Sequence, residues 1–170
     1  MNSKTKLLCN LGIGIALYVA LGMIVKIPLI GHISTDFGYI VFGAYLYIFG
    51  LPAVVIGVIG CLIESLLVSG WIPIGWILGQ LEIGLVCGYL FKKGKIISNR
   101  FVKAIIYFLV ICVSVTLGIG IIKTIVECFL YDIPFNVKIV KNMIATICDI
   151  LTMSIGVWLA CLLEKRKVLK

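Results

Sequence analysis

The sequence predicts an all-α integral membrane protein, a bundle of about six transmembrane helices with both termini in the cytoplasm. Three observations lead to this fold class. Of the 170 residues, 62% are hydrophobic and 13% are charged, and that charged share is about half of what a soluble domain carries. The mean hydropathy is +1.24. The apolar residues fall into runs near the ~20 residues that a helix needs to cross a bilayer.

Turn signals divide the apolar residues into six segments, which form a single predicted transmembrane domain over residues 1–170. A loop is predicted over 26–36, and Pro52 separates the second segment from the third because proline removes a backbone donor. Pro73 precedes the fourth segment, the basic stretch 92–103 forms a loop before the fifth, and Pro134 precedes the sixth. The predicted helices cover residues 7–25, 37–50, 52–68, 74–91, 104–126 and 137–163, each bound being approximate.

The excess of positive charge, +8 at neutral pH, is concentrated in three clusters. They consist of Lys4 with Lys6, the basic residues of 92–103 and those of 165–170, and they hold 11 of the 15 basic residues. Loops rich in Lys and Arg stay on the cytoplasmic side of a membrane. Six helices place all three clusters on that side, so the charge indicates topology rather than binding to nucleic acid.

The sequence lacks the motifs of common enzymes and of metal sites. It has seven cysteines without a C-x-x-C pair and a single histidine, His32, whereas a zinc site needs clustered ligands. It contains no H-E-x-x-H, G-x-S-x-G or P-loop motif, the patterns that carry metal, acyl-transfer and nucleotide chemistry. We therefore expect a protein that is not an enzyme and that holds no metal and no cofactor.

Polar side chains at membrane depth are the strongest indication of a binding site, because they are costly there unless they face a cavity or a partner. The acids among them outnumber the bases, which favours a cationic or donor-rich ligand. We therefore predict a pocket on the outer face for a polar ring compound, with aromatic side chains for stacking. The candidate ligand-binding residues are His32, Asp36, Tyr39, Glu64, Trp71, Trp76, Gln80, Glu82, Asn142 and Asp149.

Each part of this pocket also has a plainer interpretation. Lys123 and Glu127 are four residues apart and can form a pair within one helix. Trp71 and Trp76 can be aromatic residues at the membrane surface. Thr35 or Asp36 can cap the second helix, or the segment from His32 to Asp36 can be a loop that closes over a ligand. The residues alone leave these alternatives open.

Small residues recur at every fourth position of the first helix, at Gly12, Ala16 and Ala20. A stripe of this kind lets another helix approach closely. That helix can belong to this bundle or to a separate partner protein.

Three stretches resemble the substrate-binding S component of energy-coupling factor (ECF) vitamin transporters. Ala16-Leu-Tyr-Val-Ala20 resembles the A-x-x-x-A signature of the family's first helix. The run from Asp36 to the Gly50-Leu-Pro52 break and on to Gly60 resembles the family's second and third helices. Glu64 with Gly70-Trp-Ile-Pro-Ile-Gly-Trp-Ile-Leu-Gly79 resembles the passage into the fourth helix. The resemblance covers about the first 90 residues.

The resemblance implies a subunit of the bacterial cell membrane that captures a vitamin or related micronutrient and delivers it inward. It implies a transmembrane coupling subunit and two ATPases as partners, with Ala16 and Ala20 as docking contacts and the loop 26–36 as a lid. Members that bind metal begin with a histidine, whereas this chain begins Met1-Asn2-Ser3, so a metal substrate is not expected. The alternative is a small scaffold protein of the cell-envelope or cell-shape machinery, which would need neither a ligand cavity nor a coupling face.

Overall fold

The computed structural model describes residues 3–24 and 36–165. Over these residues it is a bundle of six helices without a strand, so the predicted all-α class is confirmed. The loop predicted over 26–36 lies outside the described residues except for Asp36. The helices are α1 (Ser3–Ile24), α2 (Gly38–Phe49), α3 (Val54–Ser69), α4 (Ile74–Gly94), α5 (Arg100–Tyr131) and α6 (Phe135–Lys165).

Five of the six helices are long and apolar enough to cross a membrane, α3 when the preceding turn Leu51–Ala53 is counted with it, as expected for a multi-pass membrane protein. The exception is α2, whose 12 residues span about 18 Å at 1.5 Å per residue, well short of the ~30 Å hydrocarbon core. Phe42 and Leu46 of α2 are fully buried. Gly43 lies so close to α6 that a Cβ placed there would be 2.6 Å from the Met153 carbonyl oxygen. The short second helix therefore lies inside the bundle.

A single glycine turns the chain from α2 into α3. Gly50 has φ 68° and ψ −138°, a conformation that is essentially restricted to glycine. Leu51–Ala53 then forms a 3₁₀ turn that contains Pro52, where the missing N–H of proline costs no helical hydrogen bond. This is the break that the sequence predicts.

The predicted basic loop over 92–103 is wrong at both ends. Lys92 and Lys93 lie in the last turn of α4, and α5 begins at Arg100 because the Asn99 side chain caps it. Asn99 Oδ1 accepts from the amides of Phe101 (3.0 Å) and Val102 (3.4 Å), which satisfies donors that the first turn leaves free. The loop predicted over 127–136 is also shorter, because helix continues through Tyr131 and resumes at Phe135.

Alternating helix direction gives the bundle two chemically different ends. We call the end where α1 begins and α6 ends the basic end, because it carries Lys4, Lys6, the charges between α4 and α5, and Lys165. We call the other the polar-cluster end, since α1 ends and α2 begins there beside the buried polar groups described below. Tyr47 near the end of α2 donates a hydrogen bond to Glu164 of α6, which fixes both helices at the basic end.

Candidate functional site

Nine buried polar side chains meet near the polar-cluster end, and each is at most 8% exposed. They come from all six helices and from the residue that enters α2, so distant parts of the sequence converge there. Such a concentration is unusual in a membrane protein, where buried polar groups are rare and functional. We call this set the polar cluster: Tyr18, Asp36, Tyr39, Glu64, Gln80, Lys123, Glu127, Asn142 and Asp149.

One part of the polar cluster links α1, α2 and α4. The Tyr18 hydroxyl donates to Asp36 Oδ2 at 2.8 Å and accepts from Gln80 Nε2 at 3.0 Å. Asp36 Oδ1 accepts from the amide of Gly38 at 2.7 Å. Asp36 therefore holds the first amide of α2, as its interpretation as a cap predicts, and at the same time it faces the polar cluster.

A second part joins α4 and α2 to α5. Lys123 Nζ lies 3.7 Å from the centroid of the Trp76 ring, a geometry in which the ring face attracts the cation. The Trp76 indole N–H donates to the Tyr39 hydroxyl at 3.3 Å. Trp76 thus packs against the polar cluster through Lys123 and Tyr39. These contacts go beyond those of an aromatic residue that only lies at the membrane surface.

The third part joins α5 to α6. Glu127 forms an ion pair with Lys138 at 3.1 Å and accepts from Asn142 Nδ2 at 3.2 Å. Asn142 Nδ2 also donates to Thr124 Oγ1 at 2.9 Å. The direct contacts of Glu127 are therefore with α6, and Lys123, considered from the sequence as its intrahelical partner, stays an electrostatic neighbour.

A π-helical segment, Thr116–Lys123, interrupts α5 just before these residues. Such segments are rare and frequently occur at functional sites. Gly118 in this segment packs against Gly79 of α4, where a Cβ would lie 2.7 Å from the Gly118 carbonyl oxygen. The segment ends at Lys123, so the close approach of α4 and α5 places the lysine beside Trp76.

Two oxygen atoms in the polar cluster, Gln80 Oε1 and Asp149 Oδ2, are buried and have no hydrogen-bond partner among the described residues. A buried polar atom without a partner costs about 1–3 kcal/mol, and native proteins contain few of them. Asp149 is 1% exposed, and its neighbours include Lys123, Asp36 and Glu64. The two oxygens are therefore acceptors available to a ligand that brings N–H or O–H donors.

Two candidate residues are not brought into this cluster. Trp71 is 45% exposed and its ring packs edge-on against Tyr131, with 5.7 Å between centroids. Glu82 lies between α4 and α5 instead, because a Cβ on Gly118 would be 2.9 Å from Glu82 Oε2. His32 lies outside the described residues.

Sequence reasoning left three residues of the polar cluster out of the candidate set, namely Tyr18, Lys123 and Glu127. Tyr18 stands within the Ala16–Ala20 motif, and its position four residues from both Gly14 and Gly22 marks the buried face of α1. Glu64 lies against this face, since a Cβ on Gly22 would be 2.7 Å from its carboxylate.

The stripe of Gly12, Ala16 and Ala20 lies on the opposite face of α1. Gly12 and Ala16 are exposed and Ala20 is half-buried, and a Cβ on Gly12 would have no atom of the described residues within 4 Å. Gly14, in contrast, packs against Ile56 and Tyr45. Packing of α1 within the bundle therefore uses the Gly14 face. The Gly12 stripe is left exposed, so a helix from elsewhere can approach it.

Comparison with known proteins identifies the family. The sequence model of a family described as the ECF-type riboflavin transporter, S component, matches residues 2–165. The chain belongs to this family. As an S component, it is a substrate-binding and non-catalytic subunit of an ECF-type transporter. The resemblance seen in the first 90 residues is confirmed and extends over nearly the whole chain.

The fold of this S component matches a crystal structure of the S-component for biotin from an ECF-type ABC transporter. The TM-score is 0.65 at 19% identity, covering 97% of this chain and 95% of that chain, which supports the fold. A relative named UPF0397 protein from Streptococcus thermophilus is 27% identical over 158 residues, 91% of this chain and 87% of the relative. Another UPF0397 protein, from Lactococcus lactis subsp. cremoris, is 28% identical over 159 residues with the same coverage.

Proposed function

We propose that this S component captures a vitamin-type ring compound in the polar cluster and delivers it inward together with a coupling subunit and two ATPases. The observation that carries the proposal is the pair of buried acceptors, Gln80 Oε1 and Asp149 Oδ2. They lie in a protein in which 62% of the residues are hydrophobic. A ligand with N–H or O–H groups would satisfy both.

The family description makes riboflavin the first ligand to test. Riboflavin has a flat ring with an imide N–H between two carbonyls, and a chain of hydroxyls. The polar cluster offers a cation at Lys123 and acceptors at Gln80 and Asp149, and the Trp76 ring beside it, with Lys123 over one face, supplies aromatic surface. This set matches a flat ring that both donates and accepts hydrogen bonds.

Binding of riboflavin to the purified protein, followed by quenching of flavin fluorescence, tests this proposal, with biotin as the comparison ligand. We expect Asp149→Asn to weaken binding about 10- to 100-fold, because a hydrogen bond to a charged group is worth about 1.5–3 kcal/mol. Gln80→Leu should weaken binding about 2- to 10-fold, because a hydrogen bond to a neutral amide is worth about 0.5–1.5 kcal/mol. Glu82→Gln is the matched control, since it changes a carboxylate of α4 outside the polar cluster. Equal affinities for all three variants would contradict this placement of the site, and absence of a small molecule from the purified protein would favour the scaffold alternative.

We propose the Gly12, Ala16 and Ala20 stripe as the docking face for the coupling subunit. It is supported by the open space around Gly12 and by the contrast with the inward-packed Gly14 face. Ala16→Trp combined with Ala20→Trp should abolish co-purification with a coupling subunit and two ATPases while riboflavin binding is retained. Val113→Trp with Leu117→Trp, which has the same spacing on the exposed face of α5 (58% and 42% exposed), should leave the complex intact. Survival of the complex in the α1 variant would overturn the docking assignment.

We also propose that the protein lies in the bacterial cell membrane with its basic end in the cytoplasm. The support is the concentration of Lys and Arg at one end, which favours the cytoplasmic side. The polar cluster would then open toward the outside, where a captured nutrient must enter.

A further inference from the structure

A cavity of about 690 Å³ lies between α5 and α6 at the basic end, far from the polar cluster. Its lining includes three basic residues, Arg100, Lys103 and Lys165, at the helix ends. Deeper in the cavity the lining is aromatic, with Tyr107, Phe108 and Trp158. We call this cavity the basic groove. A volume of this size falls in the range of small-molecule sites, about 300–1,000 Å³.

The floor of the basic groove is held in place by hydrogen bonds and ring contacts between helices. Tyr107 is 2% exposed, and its hydroxyl donates to the Phe91 carbonyl oxygen at 3.0 Å. Its ring packs edge-on against Tyr47, with 5.7 Å between centroids. Tyr47 in turn donates to Glu164, the one acid among the lining residues. These contacts tie α2, α4, α5 and α6 together beneath the opening.

The walls of the groove face lipid. Phe108 is 48% exposed and Trp158 is 61% exposed, so apolar surface continues from the cavity onto the outside of the bundle. The basic residues lie at the level of the membrane surface, because they stand at the first residues of α5 and the last residue of α6. The groove therefore has a cationic end at headgroup level and an apolar end at acyl-chain level.

We propose that the basic groove binds an anionic phospholipid, with its phosphate at Arg100, Lys103 and Lys165 and an acyl chain along Phe108 and Trp158. Basic pockets between transmembrane helices select anionic headgroups, and a guanidinium forms bidentate bonds with phosphate. Lys103 Nζ donates to the Lys95 carbonyl oxygen at 3.4 Å, which leaves its other N–H groups for the lipid. Among the lining residues that the structure describes, Glu164 is the one acid and is held by Tyr47, so three cations outweigh one anion there.

Native mass spectrometry of the protein released from nanodiscs tests the proposal, with phosphatidylglycerol and phosphatidylcholine as probes. We expect phosphatidylglycerol to be retained preferentially, and the variant Arg100→Gln, Lys103→Gln, Lys165→Gln to lose it by about fivefold per charge removed. The matched control is Lys4→Gln, Lys6→Gln, Lys93→Gln, which removes the same charge at the same end outside the groove. Equal loss in both variants, or equal retention of the two lipids, would overturn the proposal.

Fluorescence provides a second readout that locates the lipid. In a protein with Trp71→Phe and Trp76→Phe, Trp158 is the remaining tryptophan of the three in the sequence. Phosphatidylglycerol with brominated acyl chains, added to nanodiscs of phosphatidylcholine, should quench Trp158 more than brominated phosphatidylcholine at the same mole fraction.

Displacement of the bound lipid by inorganic phosphate alone would assign the groove to a free anion. Retention of a second protein chain would assign it to a partner. Either result contradicts the lipid site.

Discussion

Lys123 Nζ lies 3.7 Å from the centroid of the Trp76 ring, and the lysine is only 5% exposed. A buried ammonium in a bilayer needs compensation. Here the compensation comes from the ring face of Trp76 and from the neighbouring carboxylates of Glu127 and Asp149. This arrangement determines what substitution of the lysine should do.

Lys123→Met should destabilise the protein by about 3–5 kcal/mol, because removal of one partner leaves buried carboxylates uncompensated. Thermal unfolding in detergent measures the effect. Lys141→Met is the control, since Lys141 lies exposed on α6 and surface substitutions usually change stability by less than about 0.5 kcal/mol. Similar melting temperatures for both variants would show that Lys123 is not part of a compensated buried network.

Tyr18→Phe should lower both stability and ligand affinity. The substitution keeps the ring but removes the hydroxyl that bridges Asp36 and Gln80, so two hydrogen bonds are lost at about 0.5–1.5 kcal/mol each. The comparison is Tyr89→Phe, because Tyr89 is 49% exposed and its ring still faces Lys93 after the change. Melting temperature and riboflavin titration of the two variants, measured side by side, check the prediction, and it fails if Tyr18→Phe behaves as Tyr89→Phe does.

Gly43→Ala should destabilise the contact between α2 and α6. The new Cβ would lie 2.6 Å from the Met153 carbonyl oxygen, so two backbones must separate, at a cost of about 1–3 kcal/mol. Gly12→Ala should be neutral or stabilising instead, because a Cβ there meets nothing within 4 Å and alanine favours helix by up to about 1 kcal/mol. Thermal unfolding of the pair tests the packing, and a stable Gly43→Ala variant would argue against the close approach.

The orientation of the bundle can be tested by labelling. In a protein without its native cysteines, Ser98→Cys lies between α4 and α5, and Ser69→Cys lies at the end of α3; both positions are exposed. A membrane-impermeant maleimide added to intact cells should label the cysteine at position 69 and leave position 98 unlabelled, because the basic end stays inside. The reverse pattern would place both termini outside.

The sequence predicts the helices well where hydropathy decides them and less well where helix ends are polar. The start of α5 is missed because Arg100 and Lys103 were assigned to a loop by their charge. Asn99, a residue type that is strongly preferred at helix N-caps, precedes them and was the available signal. Charged residues in terminal turns are compatible with helix when they reach the membrane surface.

The sequence likewise predicts some residues of the candidate site and misses others. Asn142 and Asp149 are seven residues apart, and both are buried in the polar cluster, as their helical spacing predicts. Gln80 and Glu82 are two residues apart, which separates their side chains by about 200° around α4, so one site cannot hold both. Tyr18 could not be found from hydropathy, because a tyrosine in an apolar run becomes informative only when its partners, Asp36 and Gln80, are known.

Small residues on two sides of α1 give this helix an inward face that packs in the bundle and an outward face that is exposed. One side places Tyr18 against Asp36 and Gln80, while Ala16 faces outward, only two positions away. A rotation of one residue corresponds to about 100° around the helix axis. A partner that turned α1 by that amount would pull the Tyr18 hydroxyl away from both hydrogen bonds. A contact on the outer face of α1 would therefore change the polar cluster inside the bundle.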